Sequence, residues 1–163
     1  MPKRSAGILM YRRGAQGLEL LLVHPGGPFW ARKDLGAWSI PKGEYSEAEN
    51  PLEVALREFE EETGMRPRGE LRPLGEVTQP GRKVVTAFAL EGDFDPATLR
   101  SNTFEMEWPP KSGRRASFPE VDRAQWFSPE IAQEKILQGQ RQLIDRLLAM
   151  ASPSLRSAAP GRP

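Results

Sequence analysis

The 163-residue sequence predicts an α+β fold on three observations. Two apolar runs, Ser5 to Tyr11 and Leu18 to His24, flank the glycine-bearing stretch Arg12 to Gly17, the pattern of a β-hairpin. A capped helix rich in carboxylates starts at Asn50, and β-rich runs followed by a second helical pattern come after it. One domain is expected over residues 1–150, since a chain of this length suits a single core. Residues 151–163, rich in Ser, Pro, Ala and Arg, are expected to be a disordered tail.

The elements follow in order. After the hairpin, Pro and Gly cluster at Pro25 to Pro28, and Phe29 to Gly36 reads as a loop carrying Arg32 and Lys33. Trp38-Ser39-Ile40 is a short extended segment that Pro41 stops. Asn50 caps the helix, Pro51 suits its first position and Glu53 completes the capping pattern. The helix is expected to run to Thr63 and end at Gly64, with Pro67 beyond. Strands are predicted at Leu71 to Val77 and Lys83 to Leu90, whereas Phe94 to Thr103 has no clear pattern. Phe104, Met106 and Trp108 alternate with Glu105 and Glu107 until Pro109-Pro110, and Lys111 to Arg115 is a basic loop. A last strand at Ala124 to Phe127 precedes a helix opened by Ser128-Pro129 and interrupted at Gly139. A further helix, Gln140 to Met150, spaces Leu143, Ile144, Leu147 and Leu148 three and four apart.

Composition excludes several functions. There is no cysteine, hence no disulfide framework, thiolate metal site or cysteine nucleophile. The one histidine, His24, ends a strand without a visible partner and reads as structural; it rules out a multi-His zinc site. Lys and Arg number 23 against 22 Asp and Glu, so bulk charge draws the chain neither to DNA nor to a membrane. No apolar stretch is long enough to span a bilayer, and Met1-Pro-Lys-Arg-Ser lacks the apolar run of a signal peptide. A cytoplasmic location without membrane or DNA partners is expected, and no appended DNA-binding domain is visible.

The helix concentrates the chemistry. Glu53, Glu58, Glu60, Glu61 and Glu62 fall within it, and only Arg57 relieves the charge. Leu52, Ala55, Leu56 and Phe59 form one stripe, expected to pack on the core. At about 100° per residue, Glu58, Glu61 and Glu62 gather on another face, where like charges repel. Such a face is either a cluster for a hard divalent cation or a plain charged surface, and spacing alone leaves both open.

The order of residues goes further. Gly43, then Glu49, then Arg57-Glu58-Phe59-Glu60-Glu61-Glu62-Thr63-Gly64-Met65 resembles the Nudix box at every specified position. The resemblance implies an α/β/α sandwich with a mixed central sheet, the box forming loop, helix and loop. It implies a hydrolase of nucleoside diphosphates linked to another group, working with Mg2+ or Mn2+. It also implies that Glu58, Glu61 and Glu62, with the Gly43 carbonyl, hold the metal, while Arg57 and Glu49 orient the helix. Metal ions between diphosphate oxygens neutralise charge and lower the pKa of an attacking water.

Substrate is less specified. Trp38-Ser39-Ile40-Pro41-Lys42-Gly43-Glu44 is similar to the Pro-Lys-Gly segment of dinucleoside polyphosphate and diphosphoinositol polyphosphate hydrolases, which implies a phosphate contact for Lys42. Lys83 is similar in placement to a phosphate-contacting lysine of diadenosine tetraphosphate hydrolases. Arg32, Lys33, Arg114 and Arg115 are further cations, each equally readable as solvated loop charge. Phe29, Trp30, Trp108 and Phe118 are candidates to meet a base, or core aromatics. Nudix enzymes place their water-activating base variously. Glu105 and Glu107, which share one face of an extended segment, are the candidates to reach the metals, with Glu120 as a third. The leading reading is therefore hydrolysis of dinucleoside polyphosphates or nucleoside triphosphates. Diphosphoinositol polyphosphates, the 5′ pyrophosphate of RNA, and a nucleotide-sensing module without turnover are the alternatives.

Overall fold

The computed structural model describes residues 2–158. β1 (Lys3–Gly14) and β2 (Gly17–Pro25) form the expected hairpin, its tight turn made possible by Gly17 at φ 119°. β3 (Lys42–Tyr45) is a strand not expected from sequence, starting just past Pro41; a proline before a strand removes no ladder bond, and Lys42–Tyr45 pairs antiparallel with Gly7–Arg4. α1 (Pro51–Thr63) has the predicted ends: Asn50 accepts from the Leu52 and Glu53 N–H groups, and Gly64 closes the helix at φ 87°.

β4 (Arg72–Gln79) and β5 (Lys83–Glu91) follow, then β6 (Thr103–Glu107), β7 (Arg115–Pro119), β8 (Val121–Phe127), α2 (Pro129–Lys135) and α3 (Arg141–Ala158). α3 is longer than the stretch to Met150 read from the sequence. It covers part of the expected tail, and residues 159–163 lie outside the described residues.

The main sheet has the order β4-β5-β1-β2-β8, with β3 on β1; β1 and β5 are parallel and the other pairs antiparallel, so the sheet is mixed. Alternation along the central strands feeds two cores. Ile8, Met10, Leu21, Phe88 and Leu90 face α1 through Val54, Ala55 and Phe59. Leu9, Leu20, Leu22, Val85 and Ala87 face Leu143, Ile144 and Leu147 of α3. Helix, sheet and helix thus form the expected sandwich, and burial of a residue such as Phe59 contributes about 1.5–3 kcal/mol.

One helix face differs from expectation. Val54, Ala55, Phe59 and Thr63 are buried, while Leu52 is exposed. Leu56 stays half-buried against the core as expected, Val54 joins the buried face in place of Leu52, and Glu58 and Glu62 lie half-buried beside it.

Candidate active site

A cavity of about 500 Å³ opens at the end of the sheet beside α1. Lys42 and Gly43 at the start of β3, Glu62 of α1, Lys83 of β5, Lys3 of β1 and Glu120 all line it. Carboxylates and ammonium groups therefore share one concave surface, which suits a ligand made of phosphates and a cation.

Glu62 is the most perturbed of these groups. Burial pushes its carboxyl up to about 8, Lys42 opposes the shift, and the charges of Glu58 and Glu120 add to it. Glu58 is also raised, first by burial and then by Glu61, with Arg57 opposing. Gly43 makes this closeness possible: a Cβ there would collide with the Glu58 carboxylate.

Arg57 holds the outer side. Its guanidinium lies 3.0 Å from Glu49, 3.4 Å from Glu58 and 3.9 Å from Glu61. Glu49 in turn accepts from the Ser46 backbone N–H at 3.0 Å, which together with Arg57 keeps its carboxyl below the usual range. The loop after β3 and α1 are clamped by this fork.

Among the described residues no three carboxylate or histidine side chains yet stand at ligand spacing, and Glu61 points to Arg57 rather than lining the cavity. The donor set still fits a hard cation. Every candidate is an oxygen, Glu62 is a carboxylate that burial leaves short of counter-charge, and Glu58 lies against the Gly43 backbone.

Glu120 sits between β7 and β8 and is held through its backbone. Asn102 N–H donates to Glu61 O at 2.8 Å, Glu120 N–H to Asn102 O at 2.9 Å, and Gly26 N–H to Glu120 O at 2.9 Å. That chain ties it to the acidic helix. Glu105 and Glu107 do not line the cavity. Phe104 and Met106 turn toward the Pro25 to Trp30 loop, so the alternate face of β6 looks away from the cavity. There Glu105 pairs with Arg115 at 3.7 Å, and Glu107 accepts from Gly113 N–H at 2.8 Å.

Arg32 is exposed and lines no part of the cavity, and Lys33 stacks over Trp30, 5.1 Å from the ring centre. Arg115 is taken by Glu105, and Arg114 lies at the same hairpin end. His24 is fully buried and structural: Nδ1 lies 2.8 Å from Asp122 and Nε2 2.6 Å from the Lys33 carbonyl, which pins the loop. A second groove of about 380 Å³ adjoins the cavity and shares Pro25, Trp30 and Glu120 with it. Phe29, Phe104 and Met106 complete its apolar lining; Phe29 meets Trp108 edge-on at 5.5 Å, and Phe118 lies 6.0 Å from Phe104. Lys3 and Gln79 reach the cavity without having been legible from sequence, because strand register, not any local motif, brings them there, and Ser39 comes in through its bridge to Val23.

Glu62 makes a stability prediction for the metal-free protein. Its folded pKa of about 8 exceeds the ordinary 4.5, so the folded state holds the proton more tightly. The stability this gives is fully present below pH 4.5 and is lost as pH rises through about 8, on the order of a few kcal/mol. Denaturant midpoints in EDTA should therefore fall from pH 5 to 8 more steeply in the parent than in Glu62→Gln. Equal slopes would remove the buried carboxylate from the account.

Comparison with known proteins agrees with this geometry. Chain residues 1–147 match the family model of the NUDIX domain. Over 115 residues the chain is 31% identical to an octanoyltransferase of Myxococcus xanthus; the match takes in 70% of this chain and 29% of that protein, so the chain spans under a third of the relative's length. Among solved structures, a C. elegans Ap4A hydrolase binary complex aligns with a TM-score of 0.63 at 20% identity, covering 93% of this chain and 98% of the other. The NUDIX domain of Shewanella oneidensis NrtR complexed with ADP ribose aligns at 0.61 and 17% identity, over 92% and 88%. A mutT/nudix family protein from Listeria innocua aligns at 0.63 and 17%, over 95% and 98%. At these identities the solved structures establish the fold, and no helix among the described residues is long and apolar enough to cross a membrane. Matched by the family model over most of its length and carrying the box from β3 through the following loop to α1 and its Gly64 cap, the chain belongs to the NUDIX family.

Proposed function

We propose that the chain is a metal-dependent pyrophosphohydrolase of nucleoside polyphosphates, with dinucleoside polyphosphates and nucleoside triphosphates as its substrate classes and the cytoplasm as its setting. One observation carries the reading: a carboxylate that burial pushes up to about 8, Glu62, shares a cavity with Lys42 and Lys83 beside the Gly43–Glu58 contact. The Glu58, Glu61 and Glu62 carboxylates and the Gly43 carbonyl would hold Mg2+ or Mn2+, with Glu61 leaving Arg57 to join them. When bound, the ion supplies charge neutralisation on the diphosphate and a more acidic water.

The chain's own residues do the rest. Lys42 and Lys83 meet phosphate oxygens, Arg57 and Glu49 keep the acidic helix in register with Gly43 of β3, and Glu120 takes the proton of the attacking water. Water oxygen bonds to one phosphorus, the P–O bridge breaks, and the leaving phosphate departs with the bridging oxygen. The Phe29–Trp30 groove accepts the base, since it opens from the same cavity and is apolar.

The test is turnover with Mg2+ or Mn2+ in oxygen-18 water over dinucleoside polyphosphates, nucleoside triphosphates, diphosphoinositol polyphosphates and 5′-triphosphate RNA, with the labelled phosphorus identified by mass. One nucleotide class is expected to turn over with label in a single product. A second reading, nucleotide sensing, is favoured by the ADP-ribose bound to the NrtR domain; tight nucleotide binding with no turnover under any metal would select it. Lys42→Ala and Lys83→Ala should each raise KM roughly tenfold or more, with a smaller change in kcat, as expected for lost charged hydrogen bonds. Unchanged KM in both would return the two residues to surface charge.

A further inference from the structure

Gln140 is fully buried, and hydrogen bonds engage both ends of its amide. The Ile40 backbone N–H donates to its Oε1 at 3.1 Å, and a backbone N–H can only donate, so the orientation of this amide is fixed. Its Nε2 then donates to Ser39 Oγ at 3.0 Å and to Gln79 Oε1 at 2.9 Å. Ser39 agrees, since its hydroxyl proton goes to the Ile40 carbonyl at 2.7 Å and leaves the oxygen to accept. The polarity of Gln79 follows: its oxygen is taken by Gln140, which leaves its two N–H donors as the polar atoms it can offer a ligand in the cavity it lines. Gly139 keeps the side chain in place, because a Cβ there would come within 2.9 Å of Gln79 Cγ.

Register places two cations beside this amide. Gln79 is the direct cross-strand partner of Lys83, and Lys83 that of Lys3, so the three side chains leave the sheet on one face. Lys3 and Lys83 line the same cavity. A donor-only amide in a row with two ammonium groups recognises an anion rather than a neutral acceptor.

We propose that Gln79, oriented by the buried Gln140 and flanked by Lys83 and Lys3, forms a subsite for phosphates beyond the diphosphate that is cleaved. Gln79 is a binding residue, and Gln140 is a positioning residue acting through it. The assignment rests on the polyphosphate reading above and sharpens it: chains of three or more phosphates are preferred to diphosphates.

The test reads binding without turnover, so it stands apart from the hydrolase assay. The full chain is titrated calorimetrically in EDTA with inorganic tripolyphosphate and with pyrophosphate. The parent should bind tripolyphosphate more tightly than pyrophosphate. Gln79→Ala, which removes the donors without adding charge, should weaken tripolyphosphate binding about threefold to tenfold and narrow its margin over pyrophosphate. Gln79→Glu should weaken it further. Gln140→Met, where melting shows it folded, should weaken binding toward the Gln79→Ala level although Gln79 is intact. Parent-like affinity in Gln79→Ala, or a parent that does not distinguish the two anions, overturns the subsite, whatever the turnover panel finds. A folded Gln140→Met with parent affinity overturns the positioning role.

Discussion

Replacing Glu62 by Gln should lower turnover by ~10²–10⁴ without unfolding the protein, the range seen when a pre-organised charged or proton-transferring element is lost. Glu58→Gln should do the same, since Glu58 lies against Gly43 and is coupled to Glu62 and Glu120. Glutamine keeps the shape and removes the charge that a hard cation needs. Stability should hold or rise, because burial already disfavours the ionised form of both side chains and each replacement removes a like-charge repulsion. Glu61→Gln separates two roles. Glu61 is drawn to Arg57, so a large effect there means that it leaves the guanidinium to bind metal, whereas a small effect confines it to the clamp. The measurements are kcat at saturating Mg2+ and thermal melts in EDTA. Full activity in all three variants would sink the metal-site assignment.

The parts of the fold legible in sequence are those set by local chemistry. Asn50, Pro51 and Gly64 fix both ends of α1 because caps act within a turn. The β1–β2 hairpin and β5 follow from runs long enough to declare a period. What failed depends on neighbours far along the chain. β3 escapes notice because four residues beginning Lys42-Gly43 have no apolar pattern; its partner, β1, makes it a strand. Leu52 is exposed although Ala55, Leu56 and Phe59 of the same stripe pack on the core, because its place in the first turn of α1 reaches past the sheet, which periodicity does not reveal.

The site divides in the same way. Gly43, Glu58 and Glu62 lie close in sequence, where the box order points to them, as the Pro-Lys-Gly segment points to Lys42. Alternation in β6 correctly separates Glu105 and Glu107 from Phe104 and Met106, but not which face meets the cavity. The Pro25 to Trp30 loop decides that, by packing on the apolar side with Gly27 so close to Phe104 that a Cβ would sit 3.0 Å from the ring. Lys3, Gln79 and Gln140 belong to three distant segments, and only the strand pairing and the helix packed behind it bring them together.

Glu120→Gln should lower kcat by ~10²–10⁴ and flatten the acidic limb of its pH profile, the signature of a lost general base. Glu120 lines the cavity, its charge acts on both Glu58 and Glu62, and three backbone hydrogen bonds in series tie it to Glu61 and Gly26. A base held through its main chain keeps its carboxylate free for a water. Aspartate at the same place retracts the carboxylate by one methylene, so Glu120→Asp should lose rate while retaining the acidic limb. Glu105→Gln and Glu107→Gln serve as controls, because their carboxylates bond to Arg115 and the Gly113 N–H on the outer face; both should keep the parent profile. The measurement is kcat against pH at saturating Mg2+, with KM followed to exclude a binding effect. If Glu120→Gln keeps the parent limb and rate, proton removal belongs to the acidic helix, and Glu120 only shapes the charge around Glu58 and Glu62.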